Sequence, residues 1–523
     1  MVARKSWHLF FKEWRDIMTK QGMVYLIGAG PGDPGLLTLK AKHCLEIADV
    51  VVYDYLADPR IVAFSNKNAE MIYVGKQAAN HAMSQWKINE LLVKLASEGK
   101  IVARLKGGDP LVFGRGGEEA IELTKAGQPF EFVPGVTSAI AAAAYAGIGV
   151  THRAIATSFA VVTGHEDPTK PESQINWKGL ATSVDTLVFL MGVENIEKIS
   201  TQLIANGRPA ETPAAVVRWG TRPNQSTLIT TLGEAAADVV RTGMKPPAIF
   251  VVGNVVNLRS QLQWFDNKPL FGKTVVVTRA RAQASALTAK LEAQGAKVIE
   301  VPAIKIVPPA DSASMDNAIA NLCSYKWLIL TSANGVDYFF DHLHAAGKDT
   351  RALCCTKVAA IGSATAKQLE KYGVKADLVP SEYKAEDLAE ALAGEIGPGD
   401  KILLARAKVA REVLQNRLRE LGAEVDVVVA YETIADCENK EELIAALENG
   451  EASVVTFTSS STVTNLLEVL GDKKELLKKA ALASIGPITG ATLQKNGLEA
   501  AIEAKEYTIN GLTEAILNYY TKE

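Results

Sequence analysis

The chain has 523 residues, of which 48% are hydrophobic and 22% are charged. This length exceeds what one ordinary hydrophobic core accommodates, so we expect several globular domains. The net charge of −3 does not favour general nucleic-acid binding, and no apolar run approaches the roughly 20 residues of a membrane span. The five cysteines form no C-x-x-C pair, so we expect reduced thiols in a cytoplasmic protein and no metal site, with Cys354 and Cys355 buried.

Residues 1–22 differ in composition from the rest of the chain. They contain five basic and two acidic residues, a net charge of +3. Their large apolar side chains fall on one helical face: Trp7, Phe10, Phe11, Trp14 and Met18. A basic amphipathic helix binds a membrane surface or a partner, or packs on its own protein. An upstream start codon is a further explanation, because Met23 begins the next patterned segment.

The first strongly patterned segment is VYLIGAGPGDPGLLTLKA. An apolar strand over Val24–Ile27 enters a Gly-Pro-rich turn and then a helix, which brings backbone N–H groups to a ligand at the carboxyl end of a sheet. A dinucleotide fingerprint is disfavoured because Asp33 stands where its third glycine belongs and Pro31 has no N–H for a phosphate. The segment therefore predicts a ligand held by a rigid, turn-rich wall.

Short apolar runs alternate with helical stretches in the first half of the chain, which is typical of α/β layers. One set of predicted strands comprises Val24–Ile27, Val50–Tyr53, Met71–Val74, Ile101–Leu105 and Phe130–Val133. A second set comprises Ala160–Thr163, Thr186–Met191, Ala214–Trp219 and Ile249–Val252. We expect one α/β layer from each set.

Several segments of this half carry a resemblance to a known family. They are, in order, GAGPGDPGLLTLKA, YDYL, RLKGGDPLVFGRGGEE, VPGVTSAIAAAAYAGIGVTHR, VTGHE, TLVFLMG, TPAAVVRWGT and PAIFVVGNVVNLR. They make residues 23–262 resemble uroporphyrinogen-III C-methyltransferase of the tetrapyrrole methylase superfamily. The resemblance implies two α/β subdomains, about 23–135 and 136–262, with the active site in the cleft between them. It also implies S-adenosyl-L-methionine as methyl donor, uroporphyrinogen III as substrate and a homodimer formed through this half.

The same resemblance implies roles for individual residues. Asp54 matches the family's proton acceptor, with a turn cap as the alternative, and Lys76 matches the proton donor, with a carboxylate-binding or surface cation as the alternative. The implied cofactor contacts are Pro31, Gly107, Gly108, Asp109, Val112, Thr137, Ser138, Met191 and Gly220. Thr137 and Ser138 also open a predicted helix, so a hydroxyl here is alternatively a helix cap. Gln77 replaces the arginine that the family usually carries.

Residues 263–272 are predicted to be a linker, and the sequence after them repeats itself. VVVTRARAQASALTAKLEAQGAKV at 275–298 aligns with ILLARAKVAREVLQNRLRELGAEV at 402–425, which pairs Arg279 with Arg406 at a shift of 127. WLILTSANGVDYFF likewise matches VVTFTSSSTVTNLL. A repeat of this length predicts a duplicated α/β lobe, and two facing lobes form a cleft for a ligand.

The segments TSANGV, IGSATAKQLEKYG, VVVAYET, FTSSSTV and IGPITGATLQKNG make residues 273–523 resemble uroporphyrinogen-III synthase. The resemblance implies a bilobal α/β fold with flavodoxin-like lobes that exchange pieces. One lobe is expected from about 273–307 plus 434–523, and the other from 308–433. The implied substrate is hydroxymethylbilane, a linear tetrapyrrole that closes with loss of water and inversion of its last ring.

Few catalytic side chains are expected in this half, because a carbocation route mainly requires folding of the substrate and exclusion of water. Tyr431 matches a family tyrosine that assists departure of hydroxide, with packing at a hinge as the alternative. Thr365 and Thr489 match threonines that line the cleft and bind substrate, with helix capping as the alternative. Ile488 stands where a second threonine is common.

Together the two resemblances predict a bifunctional enzyme of tetrapyrrole biosynthesis. The second half makes uroporphyrinogen III, and the first half methylates it twice to precorrin-2, a precursor of both sirohaem and cobalamin. Two alternatives stay open. One is a methylase that acts on a later corrin intermediate, and the other is a methyltransferase fused to a non-catalytic tetrapyrrole-binding module.

Overall fold

The computed structural model describes residues 22–75, 83–166, 173–279, 281–302, 304–380, 385–435 and 439–521. The amphipathic helix predicted within residues 1–22 lies, except for Gly22, outside these ranges. The described chain forms two compact units, one running to Lys273 with Glu292–Lys297, the other formed by Thr274–Leu291 and the residues from Val298 onwards. Each unit contains two five-stranded sheets with helices, which confirms the predicted α/β class. No helix in the described ranges is long and apolar enough to cross a membrane.

The described part of the first unit has ten strands. They are β1 Met23–Gly28, β2 Val50–Tyr53, β3 Glu70–Tyr73, β4 Ile101–Lys106, β5 Phe130–Val133, β6 Phe159–Thr163, β7 Thr186–Leu190, β8 Pro213–Arg218, β9 Ser226–Thr231 and β10 Ala248–Val252. The helices are α1 Leu39–Ile47, α2 Pro59–Val62, α3 Gln85–Ser97, α4 Gly116–Lys125, α5 Ser138–Tyr145, α6 Trp177–Ser183, α7 Ile196–Ala205, α8 Ala235–Thr242 and α9 Arg259–Leu262. Thr38 and Thr137 cap α1 and α5 with their side-chain oxygens.

The first sheet of this unit has the order β3-β2-β4-β1-β5 with all neighbours parallel. Its inner strands β1 and β2 are apolar on both faces and mostly buried, as expected for parallel strands covered by helices. The carboxyl ends of parallel strands lie at one edge of the sheet. The segments that follow β1, β2, β4 and β5 therefore meet at that edge.

The second sheet has the order β6-β7-β10-β8-β9 and is mixed. β6 and β7 are parallel, whereas β10 runs antiparallel to both β7 and β8, and β8 antiparallel to β9. The sequence did not predict β9, whose residues STLITT are mostly polar. Its hydrogen bonds to β8 place it at the sheet edge, where a strand needs no continuous apolar run.

Ten strands also form in the second unit, counted over its described residues. They are β11 Thr274–Val277, β12 Lys297–Glu300, β13 Ile304–Val307, β14 Trp327–Leu330, β15 Lys357–Ala360, β16 Lys401–Ala407, β17 Glu424–Ala435, β18 Ala452–Phe457, β19 Ala481–Ser484 and β20 Ala500–Glu503. The helices are α10 Arg281–Ala293, α11 Ala313–Ala320, α12 Ala333–Ala345, α13 Ser363–Lys371, α14 Ala385–Ala393, α15 Val413–Glu420, α16 Lys440–Glu448, α17 Ser460–Leu470, α18 Pro487–Lys495 and α19 Ile509–Thr521.

The internal repeat appears in the order of the strands. One sheet is β12-β11-β18-β19-β20 and the other is β13-β17-β16-β14-β15. The repeat partners β12 and β17, β11 and β16, β18 and β14, and β19 and β15 take equivalent places in the two sheets. The first sheet thus combines strands from both ends of the unit. The predicted lobe boundary at residue 307 assigns β13 to the lobe of β11 and β12. In the structure β13 instead pairs antiparallel with residues 432–435 of β17, in the other sheet.

Residues 263–272, predicted to be a linker, pack against the first unit. The indole Nε1 of Trp264 donates to the carbonyl of Ala144 at 3.1 Å. The rings of Trp264 and Phe265 each lie 4.9 Å from the ring of Tyr145, and Phe265 is buried. Burial of these aromatic rings therefore fixes the segment to the C-terminal end of α5.

The prediction that Cys354 and Cys355 are buried is wrong. Both thiols are exposed, with their Sγ atoms 3.6 Å apart, because they follow a short surface turn over Thr350–Leu353. Cys44 is buried in the first unit. Across the described ranges, no three or more His, Cys, Asp or Glu side chains are arranged to hold a metal ion.

Candidate active sites

Four glycines bring three loops of the first unit together at the carboxyl edge of its parallel sheet. Gly30 and Gly108 exchange backbone hydrogen bonds of 3.1 and 2.8 Å. A Cβ atom on Gly28 would lie 2.5 Å from the nitrogen of Gly135, and a Cβ on Gly135 would lie 2.4 Å from the carbonyl oxygen of Gly108. Because neither distance is sterically allowed, these positions require glycine, and the loops after β1, β4 and β5 form one surface.

A cavity of about 600 Å³ lies on this surface and reaches the second sheet of the same unit. Its lining includes Asp54 and all nine predicted cofactor residues: Pro31, Gly107, Gly108, Asp109, Val112, Thr137, Ser138, Met191 and Gly220. Met191 and Gly220 follow β7 and β8, so both sheets contribute to one site. A Cβ atom on Gly220 would lie 2.2 Å from the Cβ of Ala142 in α5, so the wall is closely packed here.

The side chains of Asp109 and Thr137 already have hydrogen-bond partners within the protein. Asp109 accepts hydrogen bonds from the nitrogens of Leu111 at 2.8 Å and Gly135 at 3.1 Å. The Thr137 hydroxyl accepts from the nitrogen of Ala139 at 3.3 Å, which is the helix cap considered as its alternative role. Carboxylate and hydroxyl oxygens have further lone pairs, so these contacts orient the side chains and leave acceptors for a ligand.

Backbone strain is concentrated around the cavity. Four non-glycine residues of its lining have positive φ angles: Phe113 at 53°, Arg115 at 60°, Met191 at 57° and Trp219 at 48°. Such conformations are unfavourable for residues with a Cβ atom and persist where the surrounding structure imposes them. Their clustering is independent support for a functional site at this cavity.

A group of buried charges lies beside Asp54 and was not predicted from the sequence. Arg104 and Lys106 on β4 are 3% and 5% exposed, and Glu119 on α4 is fully buried. Glu119 Oε1 accepts from Lys106 Nζ at 2.8 Å and from Arg104 Nε at 3.2 Å. The other side of the Arg104 guanidinium lies 3.4 Å from Asp54 Oδ2. Two cations at alternate positions of one strand, in RLK, share a face, and this spacing was the available signal.

The electrostatics of this group are balanced. Burial lowers the pKa of Lys106, repulsion from Arg104 lowers it further, and Glu119 and Asp54 oppose the shift. Two cations face two carboxylates, which offsets part of the free energy needed to bury them. Both Arg104 and Lys106 line the cavity, so a polar ligand would meet fixed positive charge there.

In the second unit, Tyr431 lies within β17 and its ring is nearly buried. The ring stacks on Tyr338 with centroids 6.0 Å apart, which agrees with the packing alternative. Its hydroxyl accepts a hydrogen bond of 3.1 Å from Ser332 Oγ. Ser332 also caps α12 by accepting from the nitrogen of Gly335 at 3.0 Å. The hydroxyl of Tyr431 is therefore held by the loop TSANGV.

Thr365 and Thr489 occupy equivalent positions in the first turns of α13 and α18. Their side chains are only 3% and 4% exposed, so neither hydroxyl is open to solvent. Neither threonine is the helix cap, since Gly362 and Gly486 take that position. Ile488, beside Thr489, is 79% exposed.

Comparison with known proteins places both units in families. The family model of tetrapyrrole (corrin/porphyrin) methylases matches residues 23–236, and that of uroporphyrinogen-III synthase matches residues 285–514. The porphyrin biosynthesis protein HemD of Ruminiclostridium josui is 39% identical over 498 residues, which cover 95% of this chain and 98% of that protein. The chain belongs to the family of tetrapyrrole methylase–uroporphyrinogen-III synthase fusions.

Other relatives match the methylase part of the fusion. The uroporphyrinogen-III C-methyltransferase of Bacillus subtilis (strain 168) is 49% identical over 247 residues, covering 47% of this chain and 96% of that protein. The S-adenosyl-L-methionine-dependent uroporphyrinogen III methyltransferase of Methanosarcina barkeri (strain Fusaro / DSM 804) is 51% identical over 241 residues, covering 46% and 94%. These matches agree with the resemblance inferred from the motifs.

One predicted catalytic residue of the fusion is not among the residues that the structure describes. Lys76 and its neighbour Gln77 lie outside the described residues. Val74, two residues before Lys76, lines the cavity. The proton-donor role of Lys76 therefore stays a prediction.

Proposed function

We propose that the fusion closes hydroxymethylbilane to uroporphyrinogen III and then transfers two methyl groups to it, giving precorrin-2. The observation that carries the methyl-transfer step is the single cavity that collects Asp54 and nine predicted cofactor residues. The pairing of activities is supported by chemical continuity. Uroporphyrinogen III appears in the name of the synthase family and in the names of the methyltransferase relatives, as the product of the one and the substrate of the others.

The cavity suits S-adenosyl-L-methionine in size and in lining. Its volume of about 600 Å³ falls within the usual range of small-molecule sites. At Gly108 an added Cβ would meet no atom closer than 3.9 Å, so the backbone there is uncovered by side chains, while Val112 and Met191 offer apolar contact. The Methanosarcina barkeri relative is named for its dependence on this cofactor. When bound, the cofactor supplies an electrophilic methyl group on a sulfonium, and this activation requires no metal.

Asp54 is suited to remove the proton that the methylated ring must lose to restore conjugation. Its Oδ1 accepts from the nitrogen of Leu56 at 3.1 Å, and its Oδ2 faces Arg104. Its side chain keeps 26% of its surface exposed and lines the cavity. The carboxylate is thus oriented by the protein and still accessible to substrate. We assign Asp54 as the base and, from the resemblance, Lys76 as the proton donor.

In the second half, ring closure requires that the hydroxymethyl carbon lose hydroxide, which leaves with a proton as water. We propose that the Tyr431 hydroxyl, held by Ser332, assists this departure. Because the hydroxyls of Thr365 and Thr489 are buried, we propose that substrate carboxylates at these positions meet the backbone N–H groups of the helix turns.

The resemblance also supports proposals about assembly and location. We expect a homodimer formed through the methylase half and a cytoplasmic enzyme. Its ligands would be small tetrapyrroles, with no nucleic acid.

A competing function is a methyltransferase fused to a non-catalytic tetrapyrrole-binding module. The exposed Ile488 favours this alternative, because it stands where the synthase family commonly has a second threonine and offers no polar contact to a substrate. An anaerobic assay with hydroxymethylbilane and S-adenosyl-L-methionine distinguishes the two. A dimethylated type-III product is expected. Uroporphyrin I alone, from spontaneous closure, would contradict synthase activity, and supplying uroporphyrinogen III would then test the methylase separately.

A further inference from the structure

The buried charges beside Asp54 form a connected set, which we call the Arg104 cluster: Asp54, Arg104, Lys106 and Glu119. One guanidinium joins two carboxylates. Arg104 Nε donates to Glu119 Oε1 at 3.2 Å, and its two Nη atoms lie 3.4 Å from Asp54 Oδ2. Nη1 also donates to the carbonyl of Leu105 at 3.2 Å. These contacts leave the guanidinium little freedom to rotate.

Glu119 is itself held from several directions. Its Oε1 accepts from Lys106 Nζ at 2.8 Å and from Gln85 Nε2 at 3.1 Å, in addition to Arg104. Gln85, on α3, is in turn fixed by a 3.0 Å hydrogen bond to Asn89. The other carboxylate oxygen of Glu119, Oε2, is buried without a hydrogen-bond partner among the described residues. Burying a carboxylate with three donors on one oxygen and none on the other costs folding free energy, which indicates a role beyond packing.

We propose that Glu119 is a positioning residue for methyl transfer: it holds Arg104, and Arg104 holds Asp54 in the orientation and ionisation of a base. The inference rests on the proposed function of the first half. Glu119 is not among the described residues that line the cavity, whereas Asp54, Arg104 and Lys106 are. Its effect on the reaction must therefore pass through the cavity-lining residues that it holds, Arg104, Lys106 and Gln85, and of these three Arg104 is the one with a hydrogen bond to Asp54.

The charge balance of the cluster predicts how the effect would appear. Replacing Glu119 by glutamine leaves two cations against one carboxylate, Asp54. The surplus positive charge favours the ionised form of Asp54 and makes it a weaker base. Further charged or titratable groups act on the cluster: Tyr73 on β3, whose pKa is raised by burial and by Asp54, and the pair Arg115–Glu118 at the start of α4. Both remain unchanged in the variant.

The test compares three full-length variants under anaerobic conditions, with S-adenosylhomocysteine formation from uroporphyrinogen III followed against pH. Glu119→Gln removes the charge. Glu119→Gln with Lys106→Met removes one charge of each sign and restores the balance around Arg104. Glu122→Gln is the matched control, because it removes an exposed carboxylate one turn along the same helix, where it pairs with Lys125 at 2.7 Å.

For Glu119→Gln we expect the methyl-transfer rate to fall about tenfold or more and the acidic limb of the pH–rate profile to move to lower pH. Binding of S-adenosylhomocysteine should change less than about threefold. The double variant should return the acidic limb toward the wild-type position. Glu122→Gln should behave as wild type.

Each outcome is decisive once thermal unfolding shows that a variant is folded. A folded Glu119→Gln variant with the wild-type rate and pH profile overturns the inference. A rate loss with an unshifted profile, unrelieved by the double variant, also overturns it, because that pattern describes a purely structural residue. If Glu119→Gln does not fold, a fourth variant, Lys106→Met alone, is the reference for the double variant. An acidic limb at lower pH in the double variant than in Lys106→Met then supports the inference, and equal profiles overturn it. Absence of methyl transfer in the wild-type protein would instead contradict the proposed function.

Discussion

In the methylase half, the side chains around the cavity include the carboxylate of Asp54 and the cations Arg104 and Lys106, each fixed by named partners. In the synthase half, the residues predicted to act are Tyr431, which is largely buried, and two buried threonines. The difference follows from the chemistry. Removing a proton from a methylated ring requires a charged base of defined orientation, whereas closing a linear tetrapyrrole mainly requires shape and exclusion of water.

Of the substitutions that distinguish the two halves, Asp54→Asn is expected to have the largest effect on activity. The substitution keeps the shape of the side chain and removes the base, so we expect methyl transfer to fall by about 10²–10⁴-fold. Formation of uroporphyrinogen III from hydroxymethylbilane should be unchanged. Both rates are measured on the same protein preparation. A methyl-transfer loss smaller than about fivefold would remove Asp54 from the catalytic role.

A second expected effect concerns the packing of the cavity wall. In Gly220→Ala, the new Cβ would lie 2.2 Å from the Cβ of Ala142, so the loop after β8 must move. Overpacking of this kind costs about 1–3 kcal/mol of free energy. If that cost falls on ligand binding, S-adenosylhomocysteine binds roughly five- to 150-fold more weakly, which calorimetry measures. Gly117→Ala is the control, because no atom lies within 4 Å of its added Cβ. Unchanged affinity in Gly220→Ala would place the cofactor elsewhere.

Tyr431→Phe tests the synthase half. The substitution removes the hydrogen bond to Ser332, worth about 1 kcal/mol of stability, and keeps the ring stacked on Tyr338. If the hydroxyl assists departure of hydroxide, synthase turnover falls about tenfold or more while methyl transfer is unaffected. Tyr338→Phe, which loses only a hydrogen bond to the carbonyl of Ile306, should retain turnover. Equal turnover in both variants would assign Tyr431 to packing.

The smallest effects are expected for Thr365→Val and Thr489→Val. Each change preserves side-chain shape and removes a buried hydroxyl. Because the proposed contacts come from backbone N–H groups, the KM for hydroxymethylbilane should rise by no more than about threefold. Steady-state assays of both variants measure this directly. A tenfold rise would show that the hydroxyls themselves bind substrate.

The strands of the parallel sheet were readily predicted from the sequence, since each is a short apolar run between turns, as in Val50–Tyr53. The edge strand β9 was missed because its polar residues pair with β8 without entering the core. Cys354 and Cys355 were misplaced because a lone surface turn has no periodicity that reveals its exposure. The order of β11 to β20 likewise agrees with the 127-residue repeat, whereas the pairing of β13 with β17 carried no local signal.

The sequence by itself determined the α/β class, because apolar periodicity is a local feature of the chain, and the two families, because their motifs stand in order along it. It also predicted which residues after the strands face a ligand. Only the tertiary structure decided that these residues share one cavity, that residues 263–272 pack on the first unit, and that Glu119 meets Arg104 and Lys106 beside Asp54. The physical reason is that burial, charge pairing and steric closeness depend on contacts between segments far apart in the chain.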